Sequence, residues 1–390
     1  MASTREPFPW WNVSLLGVLT IAAYGSWYYS FGVLLDPIVA DTGWPQSSVV
    51  ASFGGAGIAG SLIAPYGGRA VDTLSPRLIF AATGLFATAA FWTAAWADAL
   101  WVFITASAAG GAVLAGFGFY HVAQTVAVRT APADVPRAVG LVTLYGAFAS
   151  TLYLPLAAWL VTGLEWRSAL RILATITGVV FLAVALALPA PTGKRLRRVP
   201  TPSSELLRRP SVRRYALASA AVGAASGIIL VYQVPVMVSA GLTLTTAAWL
   251  AGLRGVTQFL GRVPVTQLVN WLGTARSLKA AFLAIAAGAV LLGWAVNPMV
   301  GFLYVVVAGF GIGATSPLQG IYGSELFGTD ELGQGMGVIT MVFGLAASTA
   351  PAAVAVLNDI HDTRWWAISI SASTAFVAAL AVRTPQPATG

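Results

Sequence analysis

Two arginines stand inside an otherwise apolar or small stretch of this chain, "AGLRGVTQFLGRV", residues 251–263. On an α-helix, Arg254 and Arg262 are separated by about 12 Å along the axis and by about 80° around it, and Gln258 lies midway between them. No acidic residue in the stretch neutralises either charge. Because a guanidinium binds a carboxylate through two parallel hydrogen bonds, the three side chains form a polar stripe that is suited to an anion.

The rest of the chain is far more apolar than a water-soluble protein. Of its 390 residues, 57% are hydrophobic and 9% are charged, and the mean hydropathy is +0.79, whereas soluble domains carry about 25% charged residues. Most of the apolar runs reach the roughly 20 residues that a helix needs to cross a bilayer. We therefore predict an all-α membrane protein with twelve transmembrane helices, over residues 11–35, 46–66, 78–97, 100–128, 138–162, 168–190, 215–240, 245–266, 278–296, 299–324, 335–357 and 365–382.

The basic residues between these runs are distributed unevenly. With the N-terminus in the cytoplasm, the cytoplasmic segments hold sixteen Lys and Arg residues and the outer loops hold three, Arg167, Arg171 and Arg364. Positively charged loops stay in the cytoplasm, so we expect both termini to be cytoplasmic, in the inner membrane of a bacterium. The net charge of +8 is then a signal of topology, and we expect no nucleic-acid partner.

The chain repeats once around a polar, basic segment. Residues 190–214 are rich in Pro, Ser and Arg and are typical of a linker, which separates a six-helix half at 1–189 from a second at 215–390. At an offset of 198 residues, Gly43 aligns with Gly241 at the end of the first span of each half. Transporters use such repeated six-helix architectures, with the substrate site between the halves.

Burying the arginine stripe in a membrane is costly unless it faces protein or water. A central arginine costs about 2.5–3.5 kcal/mol on insertion scales. The positions related by the repeat are Ala56, Gly60 and Ala64, so the architecture does not require the stripe, which favours a role in binding. The alternative is that one arginine, Arg262 nearer the cytoplasmic edge, bonds to helix carbonyls or reaches the interface.

The loop between the second and third spans, "GGRAVDTLSPR" at 67–77, resembles the cytoplasmic loop signature of the major facilitator superfamily in a degenerate form. Gly68, Asp72 and Arg77 match the signature, and Thr73 stands where an arginine is usual. The resemblance implies a conformational latch at Gly68, Asp72 and Arg77, in which the Asp72 carboxylate caps a helix or pairs with a basic group. The alternative is that these residues only make the loop soluble.

The same resemblance implies that the first, fourth, seventh and tenth spans line the transport path. For every polar or aromatic residue on these spans, packing between helices is the alternative interpretation. The candidates for substrate binding there are Tyr28, Tyr29, Tyr120, His121, Gln124, Tyr232, Gln233 and Gln319.

Several stretches look like the monocarboxylate porter and oxalate:formate antiporter branch of that superfamily, at residues 30–49, 119–141, 165–170 and 234–253. This resemblance implies that Arg262, eight residues before Asn270, is the substrate-binding arginine. Gln258 stands where the branch has an acid, and Tyr29 stands near the place of its lysine. The coupling therefore stays open between exchange of anions and proton coupling, either through His121 or through a protonated substrate, and we favour exchange or facilitated movement.

The sequence predicts a transporter rather than an enzyme. It has no Walker loop, no Gly-x-Ser-x-Gly and only two histidines, so we expect no cofactor and no metal site. We predict that a small organic anion, a carboxylate, moves by alternating access through a monomer in the lipid bilayer. The alternative is an exporter of amphiphilic drug-like compounds, in which the aromatic residues of the first span form the wall of the pocket.

Overall fold

The computed structural model describes residues 8–131, 135–189, 206–361 and 364–384, and its regular elements are helical. The first half comprises α1 Trp10–Tyr24, a π-helical segment Gly25–Tyr29, α2 Phe31–Thr42, α3 Gln46–Thr73, α4 Pro76–Ala95, α5 Leu100–Phe117, α6 Tyr120–Thr130, α7 Val135–Gly163 and α8 Trp166–Ala187. The second half follows a short 3-10 turn at Leu206–Arg208 and comprises α9 Pro210–Ser239, α10 Leu244–Arg262, α11 Val265–Leu272, α12 Thr274–Gly293, α13 Pro298–His361 and α14 Trp365–Ala381.

The helices match the predicted membrane spans and confirm the all-α fold. Within the described ranges, ten helical segments are long and apolar enough to cross a bilayer. Helix α10 is not one of the ten, because its two arginines and Gln258 lower its hydropathy, and α14 falls short by length. These two complete the twelve spans.

Helix α13 supplies two spans, Pro298–Phe327 and Val338–Ile360. The Met336 sulfur lies 2.3 Å from where a Cβ on Gly323 would be, although a straight helix would place the two residues about 20 Å apart. The chain therefore folds back on itself between these spans.

The first span of each half ends in a glycine turn. Gly43 has φ of 67° and follows α2, and Gly241 has φ of 105° and follows α9. An L-residue with a Cβ is strained in this region, so glycine terminates the helix at both places. The two aligned glycines thus hold corresponding structural positions in the two halves.

Small residues on two faces of α10 allow close contact with a neighbouring helix on each side. A Cβ on Gly255 would lie 2.5 Å from the Ala147 carbonyl oxygen of α7. On the other side, the Thr257 hydroxyl donates a 2.8 Å hydrogen bond to the Val305 carbonyl of α13. Helix α10 is therefore fixed between the first half and its own half, which sets its rotation about its axis.

This rotation turns the polar stripe into the protein. The apolar side chains of Trp249 and Leu260 are 54% and 44% exposed and lie on the face of α10 that is available to lipid. Arg254, Gln258 and Arg262 follow each other at intervals of four residues, on the opposite face by helical geometry. Packing alone thus keeps the charged side chains away from hydrocarbon.

The two halves are joined by polar contacts at the end of the molecule opposite the linker. Arg364 Nη2 donates to Asp36 Oδ1 at 2.6 Å, which pairs the second half with the first. The Ser47 backbone N–H donates to Asp359 Oδ2 at 3.0 Å, so a carboxylate of the second half sits at the N-terminus of α3, where a negative charge is favoured by the helix dipole.

The helices of the two halves also approach closely at this end. A Cβ on Gly32 would lie 2.7 Å from the Val231 carbonyl oxygen, and one on Gly54 would lie 2.6 Å from that of Ser348. In contrast, Gly320, toward the linker end of α13, has nothing within 4 Å of an added Cβ. The described part of the chain is therefore closed at the end opposite the linker.

We expect Gly313→Ala to disturb the packing that orients the stripe. A Cβ there would lie 2.0 Å from the Gln258 carbonyl oxygen, and overpacking of this kind costs about 1–3 kcal/mol. Thermal unfolding in detergent should show a lower Tm for this variant. Gly320→Ala on the same helix should leave the Tm unchanged, and equal Tm values for both variants would contradict the packing argument.

We expect Arg364→Gln to let the halves separate at the end opposite the linker. The pair is partly exposed, with Arg364 at 26% and Asp36 at 37%, so it is worth about 1 kcal/mol or less. That corresponds to a shift of up to about five-fold in a two-state equilibrium. The chain has no cysteine, so spin labels on Thr162→Cys and Met299→Cys would report the distance between the halves directly.

Arg167→Gln is the matched control for that experiment. Arg167 pairs with Asp41 at the same end, but both residues belong to the first half. The label distances should therefore stay unchanged in this variant. Equal distance distributions for Arg364→Gln and for the unmodified pair would show that the ion pair does not hold the halves together.

Candidate functional site

A π-helical turn interrupts the first span. The Ser30 backbone N–H donates to the Gly25 carbonyl at 3.3 Å, and its hydroxyl donates to the same oxygen at 2.8 Å. Glycine is required at the start of the turn, because a Cβ on Gly25 would lie 2.1 Å from the Tyr153 ring. Single π turns of this kind are frequent at functional sites. Here the turn carries two of the predicted site residues, Tyr28 and Tyr29.

Arg254 is buried at the centre of a polar chain that crosses the second half. It is 2% exposed, and the Tyr304 side chain of α13 lies close to its guanidinium. The Tyr304 hydroxyl donates in turn to Gln233 Oε1 of α9 at 2.9 Å. Tyr304 and Gln233 are both 0% exposed, so they lie on the buried side of Arg254.

The tyrosines of the π turn face the two arginines across the interface between the halves. Tyr28 and Tyr29 both lie within electrostatic range of Arg254, and Tyr29 and Tyr120 lie within range of Arg262. These three tyrosines are partly exposed. The second half thus supplies the cations and the first half supplies aromatic hydroxyl groups.

Both arginines keep unused hydrogen-bond donors. The Nε atoms of Arg254 and Arg262 are buried and have no partner. Among the residues that the structure describes, no carboxylate pairs with either guanidinium. Within the described part of the chain, the two positive charges of the site are therefore uncompensated, and each guanidinium has an unpaired Nε donor for an anion.

Behind these tyrosines lies a continuous aromatic wall. Tyr24 stacks on Phe119 with ring centroids 3.8 Å apart, and it packs edge-on against Tyr28 at 5.6 Å. Tyr28 in turn packs on Phe53 at 5.8 Å. The wall joins the first, second and fourth spans, so it fixes the first-half side of the site.

Other predicted site residues lie next to this cluster or away from it. Gln124 donates to Thr143 Oγ1 at 3.0 Å, close to Tyr120, whose hydroxyl donates to the Thr143 carbonyl at 3.3 Å. Gln319 donates to Ser219 Oγ at 3.3 Å and thereby joins α13 to α9. Gln233 accepts a hydrogen bond from Tyr304, which lies close to Arg254.

Tyr232 lies outside the arginine cluster. It is 0% exposed, and its hydroxyl donates to the Pro351 carbonyl at 3.2 Å. Its charged neighbours are Asp36, Asp359 and Arg364. The structure therefore associates Tyr232 with the closed end of the molecule.

The predicted latch is only partly described. Arg77 Nε donates to the Leu188 carbonyl at 2.6 Å, at the C-terminal end of α8 within the first half. Such a contact favours a cation through the helix dipole. Gly68, Asp72 and also His121 are helical, but their surroundings are outside the described set, so the latch and the role of His121 stay predictions.

The sequence analysis did not identify Tyr304 or the π turn. Tyr304 sits in the apolar run "GFLYVVV" without a polar neighbour in sequence, so no pattern marks it. The π turn depends on backbone hydrogen bonds. Its only sequence signal is Gly25 ahead of three aromatic residues.

Comparisons with known proteins agree with this architecture. The nucleoside transporter NupG superposes with a TM-score of 0.78 at 14% identity, over 95% of this chain and 97% of that one. A bacterial homologue of the human lysosomal transporter Spinster, in an inward-facing and occupied conformation, superposes with a TM-score of 0.72 at 14% identity, over 97% and 96% of the two chains. At these identities the similarity shows the fold alone.

A curated relative is similar over a shorter region. Over 111 residues, the chain is 38% identical to the transcription regulatory protein OpdE of Pseudomonas aeruginosa, a match that covers 26% of this chain and 26% of that protein. The monocarboxylate and oxalate branch is not among these similarities.

The family itself is established over most of the sequence. The model of the Major Facilitator Superfamily matches residues 16–351, which include the π turn, both arginines and Tyr304. The chain belongs to the Major Facilitator Superfamily and is a membrane transporter of that type.

Proposed function

We propose that this transporter moves a small organic anion, a carboxylate, that binds to Arg254 and Arg262. The proposal rests on two guanidinium groups that point into the protein and that no described carboxylate neutralises. Each such charge costs about 2.5–3.5 kcal/mol in a membrane. An anionic substrate would supply the missing counter-charge and two charge-assisted hydrogen bonds.

The substrate would reach this site from the end that carries the linker. The halves are in contact at the other end through Asp36, Arg364, Ser47 and Asp359. By the distribution of loop charges, sixteen against three, we propose that the linker end faces the cytoplasm. The computed conformation is then inward-facing, in a bacterial inner membrane, with the monomer as the functional unit.

The two arginines favour an anion as the substrate, although one structural relative transports nucleosides. NupG is a nucleoside transporter, and a neutral nucleoside would leave both guanidinium charges in place. The aromatic wall supports an amphiphilic substrate as the second candidate, provided that it carries a negative charge. Neutral nucleosides and amphiphilic cations are therefore the informative comparison ligands.

We expect Arg254→Gln and Arg262→Gln to reduce anion transport about ten- to hundred-fold, because each loses charged hydrogen bonds worth about 1.5–3 kcal/mol. The measurement is counterflow in proteoliposomes with a panel of labelled carboxylates, together with size-exclusion profiles. Arg276→Gln removes the same charge from an exposed position of α12 and should transport normally. Normal counterflow in both site variants, or counterflow of nucleosides instead, would refute the anion site.

We expect uptake to depend on an internal anion rather than on a proton gradient. Asp36 and Glu325 lie at span ends, and Glu325 is engaged by the Thr274 hydroxyl, so no described carboxylate beside the arginines can carry a proton. Uptake into liposomes should rise when a counter-anion is loaded inside. Strong stimulation by an inward proton gradient that is lost in His121→Ala would instead establish proton coupling.

A further inference from the structure

Arg254 and Arg262 have different tyrosines near them, with Tyr29 common to both. Tyr28, Tyr29 and Tyr304 lie within electrostatic range of Arg254, and Tyr29 and Tyr120 lie within range of Arg262. We propose, on the basis of the proposed function, that the substrate is a single dicarboxylate that bridges Arg254 and Arg262.

Each arginine has its own free edge for a carboxylate. A guanidinium binds a carboxylate in a two-bond fork that uses either both Nη atoms or Nε with one Nη. The Nε atoms of both residues are buried and have no hydrogen-bond partner, and Tyr304 lies close to the guanidinium of Arg254. The edge that contains Nε is therefore unpaired at both arginines, and it can form a fork with a carboxylate when the side chains that cover it move aside.

The spacing of the two residues limits the length of the ligand. They are about 12 Å apart along α10 and about 80° apart around it, so side chains that extend in parallel place their guanidinium groups roughly 12–15 Å apart. A fork places the carboxyl carbon about 4 Å from the guanidinium carbon. The two carboxyl carbons of a bridging ligand are then roughly 4–7 Å apart, as in dicarboxylates of about four to seven carbons.

Tyr29 lies at the centre of this arrangement. It lies within electrostatic range of both arginines. Its ring can follow the methylene groups of a bridging ligand, and its hydroxyl can donate to one of the carboxylates. The π turn that carries Tyr29 thus places a side chain against the middle of the ligand.

Charge balance favours the same ligand class. A monocarboxylate neutralises one of the two guanidinium charges and leaves the other uncompensated in the membrane, whereas a dicarboxylate neutralises both. Arg254 is 2% exposed and Arg262 is partly exposed. One carboxylate is therefore enclosed at the buried Arg254, and the other lies at the more accessible Arg262.

The test is a titration of the purified full-length transporter in detergent, followed by calorimetry. The probes are butyrate and hexanoate as monocarboxylates, and oxalate, succinate, glutarate, adipate and sebacate as dicarboxylates. We expect affinity to peak between succinate and adipate, at least ten-fold above the monocarboxylate of the same length, and to fall for oxalate and sebacate.

Variants locate the second carboxylate. Arg254→Gln should lower the affinity for adipate at least ten-fold more than the affinity for hexanoate, and it should abolish the optimum in length. Arg254→Lys keeps the charge but loses the fork, so it should lose most of the preference for dicarboxylates. Because it keeps the charge, it also serves as the test variant if Arg254→Gln does not fold. Arg276→Gln should behave as the unmodified protein.

The possible results separate this inference from the proposed function. Equal affinity for hexanoate and adipate, with Arg254→Gln weakening both to the same degree, would overturn the bridging dicarboxylate and leave the anion site in place. Failure of every carboxylate in the panel to bind would overturn the proposed function itself.

Discussion

The rest of this structure depends on the free-energy cost of placing an unneutralised guanidinium in a bilayer. About 2.5–3.5 kcal/mol per arginine is a large part of the marginal stability of a folded protein. Helix α10 carries two such arginines. This is possible because Gly255 and Thr257 let α10 pack tightly on both sides, so that the charged face cannot rotate into lipid. The small residues of α10 therefore allow this helix to carry the two arginines.

The two halves contribute different chemistry to the site. The second half supplies Arg254 and Arg262, with Tyr304 and Gln233 behind the first of them. The first half supplies the aromatic wall and the π turn. Neither half has both the charge and the wall, so a ligand that contacts all of these groups must lie between the halves. Domain movement in this transporter then changes the distance between cations and rings as well as access to them.

Residue types and spacing predicted the main features of the fold and part of the site. Long apolar runs predicted the helices, because hydrocarbon requires them, and the cost of charge predicted the inward orientation of the stripe. The partner of Arg254 was not predictable, since Tyr304 looks like any aromatic residue of a buried span. The ion pair of Asp36 and Arg364 joins residues at opposite ends of the sequence, and each alone looks like an ordinary span end. The finer resemblance to one branch of the family rested on stretches without a diagnostic residue, and only the family level is supported.

The contact of Asp359 with α3 links the position of the halves to the order of one helix end. Pro45 precedes α3 and offers no side chain to cap its first turn, so the free N–H of Ser47 is satisfied by a carboxylate from the other half. Helix ends without such partners fray. When the halves part at this end, the second span loses its cap and its first turn loosens into solvent. The rate of hydrogen exchange at the Ser47 amide therefore follows the fraction of time that the transporter spends open on that side.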